Sequence, residues 1–229
     1  MDWKFNNALA SLVIKKENIL FPRKRFFYFN LNCAVKIINY RSIKMTEKEK
    51  MLAGELYDAN YDENLLKERY KVQDLCKKYN DMQPSDFKGR TELIKKIFGQ
   101  TGKNITVEQN FWCDYGYNIT VGENFYMNHN CTILDPAKVE FGDNVFIAPN
   151  CNFYTAGHPI EIALRNQGLE YAKPIKVGSN VWIGGNVTVL PGVVIGDNVT
   201  IGAGSLITKE IPSNVVVYGN PGKIIKNIG

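Results

Sequence analysis

Residues 177–212 read VGSNVWIGGNVTVLPGVVIGDNVTIGAGSLITKEIP. Steps of six from Val177 meet Ile183, Val189, Ile195, Ile201 and Ile207, and the positions four later are Val181, Val187, Val193, Val199, Ser205 and Ile211. A helix repeats near 3.6 residues and a strand near two, so neither produces this spacing. A period of six describes a coil of flat sides, three hexads to the turn, which makes two turns of this stretch. Between the aliphatic sites stand Gly178-Ser179-Asn180, Gly184-Gly185-Asn186, Gly196-Asp197-Asn198 and Gly202-Ala203-Gly204. Glycine and asparagine tolerate the left-handed backbone that a sharp corner demands. Two independent signals therefore predict a mainly β fold, a left-handed parallel β-helix. Upstream the register runs Val121, Met127, Ile133, slips by two residues near Val139, and resumes at Phe141, Ile147 and Phe153. The slip predicts a bulge or a small corner loop.

Working outward, Thr46 to about Phe98 carries a helical period: Met51, Leu52, Leu56 and Tyr57, then Leu65, Leu66, Tyr70, Leu75 and Tyr79, then Leu93, Ile94, Ile97 and Phe98. Pro84 with Ser85 and Asp86 reads as a break and a cap before the last helix. Residues 45–100 are thus a helical segment, and 101–229 the β-helix. Its coils begin near Ile105, are interrupted by a loop at 157–174, and end in a tail packed along the last coil.

The formal net charge of +5 is unevenly placed. Residues 1–44 hold nine Lys or Arg against Asp2 and Glu17, and the remainder is slightly acidic. The aromatic-rich run from Phe26 to Tyr40 is too short and too interrupted to span a bilayer. Ala8–Ile14 is a weak core for a signal peptide. Met45 begins a natural cytosolic start, which makes residues 1–44 a basic extension outside the native fold. No membrane or nucleic-acid partner is expected, and the expected location is the cytoplasm. Cys33, Cys76, Cys113, Cys131 and Cys151 show no metal-ligand spacing, and an odd number suits a reducing compartment. Neither a metal site nor a disulfide framework is predicted.

A regular β-helix has no cleft, so a ligand site must come from departures from the repeat. The loop at 157–174 is the largest of them, and His158 stands at its entrance. Imidazole suits proton abstraction from an alcohol near neutral pH, although a lone histidine at a loop start is more often structural. The surrounding motifs shift the balance. FYTAGHPIE at 153–161, DYGYNI at 114–119 and NFYMNHNCT at 124–132, with the opening MTEKEKMLAGELYDA from Met45, resemble the maltose and galactoside O-acetyltransferase family of hexapeptide-repeat acetyltransferases. The resemblance covers Met45 to Gly229.

It implies direct transfer of an acetyl group from acetyl-coenzyme A to a sugar hydroxyl in a homotrimer whose active sites lie between neighbouring prisms. In that reading His158 is the general base. Asn128 donates a hydrogen bond to developing charge, with Asn130 beside it the corner residue. Asp114, Tyr126 and Asn128 line the acceptor site, with Asn60 or Asp58 from the N-terminal segment. Glu170 touches the acceptor or orients His158, a solvated loop carboxylate being about as frequent. Coenzyme contacts fall on Gly185, Ala203, Thr208, Lys209, Lys223 and Lys226. Galactoside-specific relatives carry serine where Asp114 stands and aspartate where Pro136 stands, so the pattern is of the maltose or glucose type.

Other readings remain within and outside this class. A zinc carbonic anhydrase of the same architecture needs three histidines, and His129 and His158 are the only two here. A hexapeptide acyltransferase with another acceptor, such as a galactoside, and a non-catalytic trimeric scaffold stay open at this point.

Overall fold

The computed structural model describes residues 45–229; the expectation for residues 1–44 lies outside them. Helix α1 (Glu47–Ala53) starts in a capping box in which Thr46 and Glu49 satisfy each other's backbone N–H, and it stops at Gly54 in a left-handed conformation. Strand β1 (Tyr57–Asp58) follows. Helices α2 (Glu63–Asn80) and α3 (Phe87–Ile97) are capped by the side chains of Asp62 and Asp86. Their apolar stripe, including Tyr79, Leu93, Ile94, Ile97 and Phe98, closes the open end of the coil against Ile105, Val107 and Phe111.

The coil has three parallel faces and about six turns. Face I is built by β2 (Gln100–Thr101), β5 (Ile119–Val121), β8 (Val139–Phe141), β13 (Ile175–Val177) and β16 (Val194–Ile195). Face II is built by β3 (Ile105–Val107), β6 (Phe125–Met127), β9 (Val145–Ile147), β14 (Val181–Ile183), β17 (Thr200–Ile201) and β19 (Val215–Tyr218). Face III is built by β4 (Trp112–Cys113), β7 (Thr132–Leu134), β10 (Asn152–Tyr154), β15 (Thr188–Val189) and β18 (Leu206–Ile207). The strands start at Gln100, a few residues earlier than the sequence suggested. The tail turns back as β20 (Lys223–Asn227), pairing antiparallel with β19 at the edge of face II.

Every aliphatic of the hexad points inward. Ile133, Phe153, Val189 and Ile207 form one buried column and Met127, Ile147, Ile183 and Ile201 another. Each such side chain stabilises the coil by about 1.5–3 kcal/mol through burial. Corners are turned by asparagines with positive φ. At the edge between faces I and II, Asn104 and the positive-φ residues Asn124, Asn144, Asn180, Asn198 and Asn214 stack into a ladder, each side-chain amide donating to the next side-chain carbonyl. Asn130 likewise has φ 62°, as its corner position requires.

The slip near Val139 belongs to a larger pattern. Met127 pairs with Ile147, whereas Ile183 pairs with Ile201, so the early turns are two residues longer than the later ones. The extra residues all fall at the edge between faces III and I: residues 114–118 in the first turn and 135–138 in the second. In the third turn the same edge carries the segment 155–174. That segment is ordered by its own hairpin: β11 (Ala156–Gly157) pairs antiparallel with β12 (Leu169–Ala172), which pairs with β1, and α4 (Ile162–Arg165) lies at its tip. One prism edge thus gathers every large departure from the repeat.

Candidate active site

The hairpin places His158 beside β12. A Cβ at Gly157 would meet the end of the Tyr171 side chain at 2.6 Å, so a larger residue there would have to push that ring aside. His158 Nδ1 lies 3.0 Å from the Leu169 carbonyl oxygen. A carbonyl only accepts, so Nδ1 carries a proton, and in the neutral ring Nε2 is the nitrogen that holds the lone pair. His158 Nε2 faces Glu170 Oε1 at 3.7 Å, and the histidine side chain is 47% exposed against 16% for the glutamate. Tyr57 donates its phenol proton to Glu170 Oε2 at 2.9 Å, across the β1–β12 pairing. Burial and the Glu170 charge hold that phenol well above its usual pKa. The result is a half-exposed imidazole whose Nε2 stands beside an anchored carboxylate.

Asp114 sits on the first-turn extension of the same edge. Burial raises its carboxyl to about 6; Arg69 on α2 opposes the rise and Glu170 adds to it. Arg69 also donates to the Ala59 carbonyl at 3.2 Å. Asp58 Oδ1 accepts the N–H groups of Asn60 and Tyr61, closing a turn, and Asn60 Nδ2 donates to the Gly168 carbonyl at 3.0 Å. Both N-terminal candidates therefore tie the segment after β1 together and to the hairpin. Beneath them Asp135 is fully buried, and burial, with the charge of Asp114, raises it to about 7 while backbone N–H donors pull it down.

Asn128 lies on a different edge, between faces II and III. Its Oδ1 accepts the His129 N–H at 2.8 Å, which leaves the amide nitrogen as the donor of the side chain. Gly185 and Ala203 stand on that edge too, in adjacent turns joined by the Gly204 N–H to the Gly185 carbonyl at 2.8 Å. A Cβ at Gly185 would meet only the Pro149 carbonyl, at 3.3 Å, so the outer side of this corner is open to a close ligand. Tyr126 is mid-strand on face II, in register with exposed Phe146, and Phe146 with exposed Trp182. Thr208 and Lys209 are exposed at the edge that bears His158, while Lys223 and Lys226 are exposed on β20.

The chain therefore brings together His158, Glu170, Asp114, Asn60 and Asp58. It places Asn128, Gly185 and Ala203 one hexad away, about 15–20 Å at roughly 3.3 Å per residue. Tyr57, Arg69 and Asp135 belong to the first group and were not predicted. Tyr57 read as one more apolar position of the helical pattern, and Arg69 lies outside that pattern, with no motif to single it out. Among the described residues no His, Cys, Asp and Glu cluster suits a metal ion. No helix among them is long and apolar enough to cross a membrane.

Comparison with known proteins identifies the family of the chain. Residues 50–102 match the maltose acetyltransferase hexapeptide capping motif and residues 174–209 the bacterial transferase hexapeptide of six repeats. A maltose O-acetyltransferase structure from Clostridium difficile 630 is 55% identical with a TM-score of 0.79, covering 81% of this chain and 98% of its own. A galactoside acetyltransferase in complex with coenzyme A is 44% identical with a TM-score of 0.78, covering 81% and 92%. A Vibrio cholerae hexapeptide-repeat acetyltransferase complexed with acetyl coenzyme A is 32% identical with a TM-score of 0.74, covering 81% and 100%. Being 55% identical along 98% of the length of one such relative, the chain belongs to the maltose and galactoside O-acetyltransferase family of hexapeptide-repeat acetyltransferases.

Proposed function

We propose that this chain transfers the acetyl group of acetyl-coenzyme A to a hydroxyl of a glucose- or maltose-type sugar, with His158 Nε2 as the general base. The observation that carries the reading is the Leu169 carbonyl on Nδ1, which in the neutral ring makes Nε2 the proton acceptor at this edge. Nε2 takes the proton of the attacking hydroxyl as its oxygen bonds to the acetyl carbonyl carbon. It returns that proton to the sulfur when the carbon–sulfur bond breaks. Glu170 faces the imidazolium formed between the two steps.

The ionised Asp114 carboxylate accepts hydrogen bonds from sugar hydroxyls, with Arg69 as its counter-charge. Asn128 donates to the oxygen on which charge develops, and its orientation by the His129 N–H suits that role. Because Asn128 and His158 occupy different edges, one complete site takes these two groups from two copies, which supports a homotrimer. The half-buried Tyr126, in register with exposed Phe146 and Trp182, gives face II an apolar stripe for a neighbouring copy to cover. The open corner at Gly185 and Ala203 admits the pantetheine arm, and Thr208, Lys209, Lys223 and Lys226 stand where backbone and phosphate groups of the coenzyme need partners.

Thiol release from acetyl-coenzyme A, followed with glucose, maltose and a galactoside, tests the reading. Sugar-dependent release that falls by about 10² or more in His158→Ala is expected, the lower end of general-base contributions. A folded protein that releases no thiol with any of the three sugars would refute the sugar assignment, and an undiminished His158→Ala rate would refute the base.

A further inference from the structure

The 114–118 extension is held at both ends by a single residue of the next turn. Asp135 Oδ1 accepts the backbone N–H of Asp114 at 3.0 Å and of Tyr115 at 2.9 Å. At the other end, the Asn118 side-chain amide donates to the Asp135 carbonyl at 2.7 Å. Between them Gly116 has φ 70°, and its Cβ position is closed by the Ile97 carbonyl oxygen at 2.3 Å, so the extension cannot relax toward the helices. The Asp135 side chain is fully buried, and Oδ2 has no hydrogen-bond partner among the described residues. A buried carboxylate half satisfied in this way costs free energy, and stability alone does not explain it. Thr155 of the third turn repeats the device in a neutral form, donating to the Leu134 carbonyl and accepting the Ala137 N–H. A hydroxyl suffices to stack these corners. The charged group is placed under the one corner that presents Asp114.

We propose that Asp135 is a positioning residue for acceptor recognition: by clamping both ends of the 114–118 extension it fixes the direction in which Asp114 is presented to the sugar. The proposal rests on the reading of Asp114 as an acceptor contact. Asp135 itself touches no substrate. Its charge faces Asp114, Tyr115, Cys113 and, on α2, Cys76.

A double-mutant cycle tests it. Asp114→Asn, Asp135→Asn and the double variant are compared in thiol release, with the sugar that supports the fastest release varied at saturating acetyl-coenzyme A, and then the reverse. Asp114→Asn is expected to raise the sugar KM about tenfold or more and Asp135→Asn about five- to tenfold, the scale of one or two charged hydrogen bonds. The double variant should stay within about twofold of Asp114→Asn, because residues acting through one another are not additive. The KM for acetyl-coenzyme A should be unchanged in all three. A merely structural residue would instead multiply the defect in both backgrounds or move both KM values, and either result overturns the proposal while leaving Asp114 as an acceptor contact. An unchanged sugar KM in Asp114→Asn overturns the reading of Asp114 and the proposal with it. Should Asp135→Asn fail to fold, Asn118→Ala, which frees the other end of the extension and leaves the carboxylate in place, is run through the same cycle with the same criteria.

Discussion

Replacing Glu170 by glutamine removes one charge while keeping the size of the side chain. In the proposed reaction His158 becomes an imidazolium as the proton moves, and the carboxylate at 3.7 Å stabilises that charge. Two unit charges at this distance interact by about 1 kcal/mol in a water-like medium and about 4 kcal/mol at an effective dielectric of 20. With His158 47% exposed the lower end applies, and about 1–2 kcal/mol corresponds to a five- to thirtyfold loss of kcat. Tyr57→Phe keeps the charge but frees Oε2, and should lower kcat by about threefold, the scale of one hydrogen bond. Thiol release at varied sugar separates kcat from KM. A glutamine variant with kcat intact and the sugar KM raised tenfold would show that Glu170 holds the acceptor; one with neither changed would refute both roles.

Three stability predictions follow from backbone and burial. Asn144→Ala removes two ladder hydrogen bonds and places alanine at φ 55°, so it should cost about 2–3 kcal/mol, and Asn144→Gly about 1 kcal/mol less, read from urea unfolding midpoints. Gly116→Ala drives a Cβ to 2.3 Å from the Ile97 carbonyl and should cost about 3 kcal/mol or more, whereas Gly54→Ala, at φ 74° with its nearest atom at 3.6 Å, should cost only about 1 kcal/mol; equal losses would refute the steric argument. Asp135 rises from an ordinary 3.8 to about 7, so the folded chain holds a proton there that the unfolded chain releases. That contribution is full below about pH 4 and is lost as pH rises through 7, so the melting temperature of Asp135→Asn relative to the parent should rise between pH 5 and 8, and a flat difference would refute it.

The coil was legible because its determinants are local. Each inward aliphatic and each corner asparagine answers to its own six residues, and the period declares itself without knowledge of what packs where. The edge site was legible only where a residue type carried its chemistry openly, as in His158 and Asp114. Asp135 gave no such signal, since its meaning lies in two amides twenty residues upstream that only the winding of the coil brings beneath it. Tyr57 was hidden by the opposite effect, since the helical period accounts for it without a site, and Arg69 is one charged residue among many on a helix. The hairpin at 156–172 looked like an unstructured loop because its partner strand, Tyr57–Asp58, lies more than a hundred residues away.

The division of the proposed machinery between two prism edges makes a sharp prediction about assembly. His158→Ala keeps Asn128, and Asn128→Ala keeps His158, so each variant alone should be nearly inactive. If a site takes its histidine from one copy and its asparagine from a neighbour, a mixed assembly contains interfaces where an Asn128→Ala chain supplies His158 and a His158→Ala chain supplies Asn128. Random assembly of equal amounts gives that pairing at about one quarter of the interfaces in a cyclic trimer. Co-expression, or unfolding and refolding of the two variants together, should therefore restore about 25% of the parent rate of thiol release. Both groups drawn from one chain would leave every site in the mixture defective. A mixture no more active than its components, in assemblies shown to contain both variants, would refute the shared site and place catalysis within a single copy.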